Sequence, residues 1–526
     1  MDYLKFEKNY IKKRWRNKVS VALVFPNYYR IGMSNLGFLY IYETLNQYKE
    51  IVCERVFLPE KEEPLRSVES NRPLKDFDII LFSIPFEVDY INVLKILMSG
   101  GIDLDPIHRK EIVLAGGVAV WLNPEPLSSF VDGFLMGEWE TLEEKIVPVF
   151  IEYFHNKEKL LEILNTFSFS YIPHFEKKAV IKVAKSKKLR KIVYARLISE
   201  KAEFSNTYLI EISKGCGRSC RFCAAGFIYR PPRSYSEELL SDVIREIPEN
   251  SKVGIIGLEF ANKNEVFTLG RKLLEKNCIL TFSSLRIDTL NEEFLELLKG
   301  TKSIAIAPET ASLKLKKVIN KNLTEEEIFW ALNKFQEKKL KNVKFYFMVG
   351  LPLEDLNDLE ETVKFVKRLL KKKFKLTFSF TFSFFVPKPH TPFQWQSFLD
   401  LKKLKEKESF IKKRLGYVKN LKVESPKEAF IQALIARGDQ RIKEFLILMA
   451  GRKGFKSALK TIPSISEILA PEKSLDIVFP WDKIDTGVKK EFLWEEWQRA
   501  LKLKLTPFCK PEKCKLCGAC LTDLSG

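Results

Sequence analysis

The chain has 526 residues, 45% of them hydrophobic, too many for one ordinary core, so two or three domains are expected. Its formal charge of +20, from 88 Lys plus Arg against 68 Asp plus Glu, suits RNA or another polyanion and equally a heat-adapted or AT-rich source. Met1–Arg16 lacks the apolar run of a secretion signal, and the longest apolar stretch, 374–387, is broken by Lys375 and alternates with Thr and Ser; a cytoplasmic protein without a membrane partner is expected.

From Val21 to about Glu140, apolar strand-like runs alternate with amphipathic stretches. Val21–Phe25, Asp78–Ile84 and Ile112–Leu114 read as strands and Leu36–Tyr48 and Val88–Met98 as helices. That is the pattern of an α/β, doubly wound, Rossmann-like sheet over residues 1–180. Residues 141–200 carry another helix and a basic hairpin-like stretch, Lys177–Arg196, read as a linker.

A second series covers 195–400. Strands are predicted at Tyr208–Ser213, Val253–Ile256, Ile279–Ser283, Ser303–Ala307, Val343–Val349 and Leu376–Phe385. Helices fall between them at Ser236–Arg245, Asn264–Glu275, Asn291–Leu298, Thr324–Gln336 and Leu356–Leu370. Repeated strand-helix pairs predict a partial β/α barrel of the TIM type. A Lys-rich helix, 401–422, opens a helical extension to 505, and residues 506–526 form a Cys-rich tail.

Seven of the nine cysteines lie in two short clusters, which argues for metal ligation in a reducing compartment rather than a disulfide framework. Cys216, Cys220 and Cys223 follow the first barrel strand in CxxxCxxC spacing. Three thiolates on one loop can hold three irons of a [4Fe-4S] cluster and leave the fourth open. The alternative is zinc, but zinc wants four ligands, and none of the four His (108, 155, 174, 390) is close in sequence.

With Phe222 in the aromatic place of CxxxCxφC, this stretch resembles the radical S-adenosylmethionine (SAM) superfamily over 205–395. The resemblance implies a [4Fe-4S] cluster whose open iron binds SAM, and reductive cleavage to a 5′-deoxyadenosyl radical that abstracts a substrate hydrogen. It also implies cofactor contacts along the strand ends. Gly257 and Glu259 stand at a Gly-Gly-Glu-like turn in which Leu258 replaces one Gly; Ser284 and Arg286 stand at ribose and carboxylate positions. Glu309 is a ribose or substrate contact, and Met348 and Gly350 belong to a Gly-x-Pro-like turn on adenine.

The N-terminal sheet is similar to a degenerate cobalamin-binding domain. Gly32 and Ser34 stand where an Asp and the axial His would be, so the lower axial ligand is absent. Ser83, Gly116 and Gly117 are the remaining marks, with the alternative that the glycines only make tight turns. The runs Gly116–Leu127, Phe385–Trp395 and Ala436–Arg441 resemble an uncharacterised radical SAM subgroup with this domain, which would extend the likeness over nearly the whole chain.

His390, between prolines at a strand exit, is a weak acid-base candidate beside the ordinary reading of a loop His. Cys509, Cys514, Cys517 and Cys520 suit a second iron-sulfur cluster, because the run resembles half a ferredoxin site, or zinc. The expected function is radical C–H functionalisation, such as methylation or methylthiolation of RNA or protein, with cobalamin as a further cofactor. An electron donor such as flavodoxin or ferredoxin is the implied partner. The alternatives are a radical SAM enzyme whose N-terminal domain only presents substrate, and a zinc-stabilised RNA-binding protein.

Overall fold

The computed structural model describes residues 2–61, 63–175, 179–257, 264–282, 285–511 and 513–520. Its N-terminal sheet has six strands: β1 (Val19–Phe25), β2 (Ile51–Phe57), β3 (Ile79–Ser83), β4 (Ile112–Gly116), β5 (Gly133–Leu135) and β6 (Ser170–Tyr171). Their order is 2-1-3-4-5-6, parallel except for β6. β1 is buried along its whole length, as a parallel strand covered on both faces must be. The crossover direction reverses between β1 and β3, and the crevice beyond their carboxyl ends is where open α/β sheets bind ligands.

β2 was not among the predicted strands, because Glu54 and Arg55 interrupt its apolar pattern. Both are buried. The Arg55 guanidinium meets Glu7 at 2.7 Å and Glu69 at 2.6 Å, so its charge enters the core already matched.

The barrel region starts with β7 (Tyr194–Ala195), antiparallel to β8 (Thr207–Glu211). Parallel pairing continues through β9 (Lys252–Ile256) to β10 (Ile279–Phe282). A parallel bridge, Leu285 to Ile306, joins this half to β11 (Ser303–Glu309), which pairs with β12 (Asn342–Val349) and then β13 (Thr377–Phe384). The result is an open, barrel-like wall of six parallel strands. One face packs under the helices: Val343, Phe345, Phe347 and Val349 are buried. The other face carries small or polar positions, Ala305, Ala307, Thr381 and Ser383, and is only half-covered. Thr324 and Asp355 start two flanking helices with reciprocal capping boxes.

Two segments differ from expectation. Within 141–200, β6 completes the first sheet and β7 the second, while Ile181–Lys182 pairs with Ile484–Asp485. The stretch is woven into both halves rather than being a linker. The Lys-rich helix ends at Leu415, and Leu421–Val423 becomes a seventh parallel strand, β14, beside β13. No helix among the described residues is long and apolar enough to cross a membrane.

Candidate functional site

Immediately after β8 the chain forms a short antiparallel ladder, Ser213–Lys214 against Arg233–Ser234, which closes a loop over 215–232. Gly215 sits at φ +77° where a Cβ would lie 2.5 Å from the Tyr229 carbonyl oxygen, so only glycine lets the loop return on itself. Cys216, Cys220 and Cys223 are all on this loop, at the carboxyl end of the parallel strands.

Two of the three sulfurs accept from an N–H. The Arg218 amide donates to Cys216 Sγ at 3.5 Å and Arg286 Nη1 to Cys220 Sγ at 3.4 Å. Burial, with the charges of Cys220 and Cys216, raises the Cys223 thiol to about 12, against the lowering effect of the Gly226 amide. Among the described residues no group of three or more His, Cys, Asp or Glu is drawn together as a site for a metal ion. Donors at the Cys216 and Cys220 sulfurs nonetheless fit ligands of an anionic cluster, since hydrogen bonds to cluster sulfurs stabilise and tune it.

Arg286 is bonded to Asp288 at 3.1 and 3.0 Å and to the Cys220 sulfur at 3.4 Å. Burial opposes its charge, but the Asp288 and Cys220 contacts outweigh this and raise its pKa. Glu309, at φ +67° on the end of β11, is buried and accepts from Lys321 Nζ at 2.7 Å. Lys321 lies 6.0 Å from the Phe222 ring centre, which brings Phe222, Glu309 and Arg286 into one polar arc across the strand ends. Met348 is on the half-open face of β12. Gly350 turns the chain at φ +86°, with its amide donating to Glu354 at 2.9 Å. Gly257 follows β9; Glu259 and Ser284, with Leu258 and Ser283, lie outside the described residues.

The family assignment can now be made. Residues 37–173 match the family of N-terminal regions of radical SAM proteins, and residues 210–366 match the radical SAM superfamily. The chain belongs to the radical SAM superfamily. It is 31% identical over 452 residues to an uncharacterized protein of Methanocaldococcus jannaschii, covering 84% of this chain and 94% of that one. It is 22% identical to the threonylcarbamoyladenosine tRNA methylthiotransferase MtaB of Aquifex aeolicus, over 56% of this chain and 72% of the relative. The ribosomal protein uS12 methylthiotransferase RimO of a Hydrogenobaculum species is 27% identical over 31% of this chain and 44% of its own. Among solved structures, the cobalamin-dependent SAM radical enzyme OxsB superposes with a TM-score of 0.42 at 17% identity, over 67% of this chain and about half, 52%, of OxsB. The protein is therefore a radical SAM enzyme, and the non-catalytic zinc-protein alternative falls away.

A cavity of about 370 Å³ opens at the carboxyl ends of β3, β4 and β5. Ser83, Gly116 and Gly117 line it, and so does Tyr229 of the cysteine loop. Trp121 packs on Tyr229 at 5.2 Å and joins the two halves there. Gly117 is required by the fold itself: at φ +107°, a Cβ would meet the Ile84 carbonyl oxygen at 2.5 Å. Gly117 is therefore explained without a ligand, whereas at Gly116 a Cβ would lie 3.2 Å from the Leu135 carbonyl oxygen. Ser34 Oγ donates to the Arg30 carbonyl and accepts from the Phe204 amide, both at 3.0 Å. At Gly32 a Cβ would strike Phe57 at 2.4 Å.

Charges ring the wall of this cavity. Lys214 Nζ lies 2.8 Å from Glu140 and 2.9 Å from Glu211, and Arg233 pairs with Glu138 at 2.6 Å. Burial raises Glu211, although Lys214 opposes it.

The subgroup-like motifs converge on a seam away from the cysteines. Asn123 Nδ2 donates to the carbonyls of Ala436 and Gly438, at 3.2 and 2.7 Å, and Arg437 Nη2 donates to Gln394 O at 3.1 Å. Their shared chemistry is domain packing. His390 belongs to this buried zone. Burial and nearby Lys185 push its pKa down to about 3, so its imidazole is neutral at neutral pH.

Sequence reasoning missed Arg221 and Arg230. Both are buried anchors of the cysteine loop, and nothing local distinguishes them from the solvated arginines that commonly flank cysteines.

Proposed function

We propose that this radical SAM enzyme functionalises a carbon–hydrogen bond by transfer of a methyl or methylthio group to RNA. The observation that carries the reading is the loop of Cys216, Cys220 and Cys223, with N–H donors at the Cys216 and Cys220 sulfurs, placed at the carboxyl ends of parallel strands. When bound there, a [4Fe-4S] cluster leaves one iron open to SAM and supplies the electron for its cleavage. Arg286, held by Asp288, fixes the charge beside Cys220. The half-covered face of β11–β13 gives substrate a route to the strand ends, and Lys321 matches the Glu309 carboxylate there.

Group transfer is supported by the names of the methylthiotransferase relatives. RNA is favoured over protein by the +20 charge and by the longer match to the tRNA-acting relative. The test is anaerobic incubation with dithionite, methyl-labelled SAM and separated RNA and protein fractions. 5′-Deoxyadenosine and label in RNA are expected. Label in protein would redirect the substrate, and absence of 5′-deoxyadenosine would remove the reaction.

A second reading adds cobalamin as methyl carrier, favoured by the cavity beyond the carboxyl ends of β3, β4 and β5, lined also by Ser34–Gly37 after β1. Its size suits a nucleotide-like tail, and a corrinoid held there has no protein axial ligand at Ser34. Cob(III)alamin absorbance retained after desalting supports this reading. A spectrum without it leaves the domain as a substrate-presenting surface.

A further inference from the structure

The C-terminal cysteines are not used by the reaction assigned above. Cys509 and Cys517 are buried and Cys514 and Cys520 half-buried. Burial raises the Cys509 thiol to about 11; the charges of Cys517, Cys514 and Cys520 add to this and Arg230 opposes it.

This segment is fastened to the first cysteine loop. The Cys509 amide donates to the Gly217 carbonyl at 2.8 Å, one residue from Cys216. Phe508 covers Gly217 so closely that a Cβ there would lie 2.7 Å from its ring. Asn320 Nδ2 donates to the carbonyls of Arg218, Ser219 and Thr506, each at 3.2 Å, and ties both segments to one side chain.

Two buried cations stand at the junction, and among the described residues neither has a carboxylate as hydrogen-bond partner. Arg230, 2% exposed, donates to Gly226 O at 2.9 Å and Ser219 Oγ at 2.6 Å, and lies over the Phe227 and Phe492 rings. Lys185, 1% exposed, donates to the carbonyls of Ile228, Arg230 and Thr486 at 3.0, 2.9 and 2.6 Å. The charge of Arg230 acts on Cys509 and Cys520, and that of Cys517 acts on Lys185. Glu138 and Asp485 already act on Lys185, whereas a buried charge without a counter-charge is costly and an anionic tetrathiolate centre answers that of Arg230. The spacing Cys514-x2-Cys517-x2-Cys520 is that of iron-sulfur ligation.

We propose that Cys509, Cys514, Cys517 and Cys520 hold a second iron-sulfur cluster that passes electrons to the first, with Arg230 as the charge between them. This rests on the reading of the first site as the SAM-cleaving centre. One electron leaves a low-potential donor protein of the reduced flavodoxin or ferredoxin class, enters at the C-terminal centre and ends in the SAM carbon–sulfur bond. The donor is oxidised by one electron, and the bond breaks to methionine and a carbon radical.

The test uses the full-length protein reconstituted anaerobically with iron and sulfide. The unsubstituted protein is expected to hold about eight irons, and a variant with Cys216, Cys220 and Cys223 all changed to Ala about four, with a reduced paramagnetic signal indifferent to SAM. Cys514→Ser with Cys517→Ser should keep the SAM-responsive signal under dithionite yet lose reduction by the protein donor. Arg230→Gln should shift the midpoint potential of the C-terminal cluster downward. If the unsubstituted protein holds about four irons, about one zinc and a SAM-responsive signal, the relay is overturned while the first site stands. If iron sits at the C-terminus and no signal responds to SAM, the reading of the first site fails and takes the relay with it. The unsubstituted protein decides both cases, so the outcome does not depend on the variants folding.

Discussion

Arg221→Met probes how the cysteine loop is anchored. The wholly buried Arg221 side chain reaches Glu496 at 3.2 Å, the carbonyls of Lys317, Val318 and Lys504 at 2.9, 3.0 and 2.6 Å, and Thr506 Oγ1 at 3.0 Å. Burial lowers its pKa, with Glu496 opposing. Methionine fills much of the volume but leaves Glu496 buried without its guanidinium. Removing one partner of a buried pair costs about 3–5 kcal/mol. Thr506 Oγ1 at 2.5 Å and Arg499 at 3.4 Å still answer part of the Glu496 charge, so about 3 kcal/mol, the lower end of that range, is expected. Native-state hydrogen exchange in the helix Lys490–Leu501, which carries Glu496, should speed up about a hundredfold. The double variant Arg221→Met/Glu496→Met should recover most of the loss, because an apolar replacement of the whole pair is often neutral. Exchange within about threefold of the unsubstituted protein, or a double variant no better than the single one, would refute the reasoning.

Three further outcomes follow from the geometry. Gly215→Ala should destabilise the cysteine loop by about 1–3 kcal/mol, because its φ of +77° and the Tyr229 oxygen leave no room, and iron at the first site should fall while iron at the C-terminus stays. Thermal unfolding with iron counting checks this; unchanged values would contradict it. His390 has a folded pKa below its unfolded value, so its stabilising contribution is present above about pH 6.5 and is lost as pH falls toward about 3. Between pH 7 and pH 4 the unsubstituted protein should lose about 3 kcal/mol more than His390→Asn, a residue that tolerates the φ of +55°, and equal pH slopes in urea unfolding would count against it. Ser34→Ala should leave cobalamin uptake unchanged, since its hydroxyl is occupied by Arg30 and Phe204. A large loss of uptake in the desalting assay would show that Ser34 touches the cofactor.

The parallel strands were legible because long buried strands write their apolar runs into the sequence. β12 was expected over Val343–Val349 and spans Asn342–Val349, and the helix expected at Asn264–Glu275 has those bounds. β2 was hidden because Arg55 is neutralised by Glu7 and Glu69, and Glu7 is 48 residues away in sequence. The two-residue strands β6 and β7 carry too little pattern to read and exist through their distant partners. At the site, cysteine spacing identified the loop. The docking of Cys509 on Gly217, and of Arg221 on Lys504, crosses most of the barrel and extension and leaves no local trace. The glycines at 116 and 117 were legible as constrained positions, but only the structure separates a turn demanded by Ile84 from an approach to a ligand.

The most direct measurement is the low-temperature electron paramagnetic resonance spectrum of the anaerobically reconstituted, dithionite-reduced protein, recorded with and without SAM. Binding of SAM at an open iron held by Cys216, Cys220 and Cys223 predicts a signal whose g-values shift on adding SAM, and loss of that response when any of the three cysteines is replaced. A reduced cluster signal that is identical in the two spectra would contradict the account.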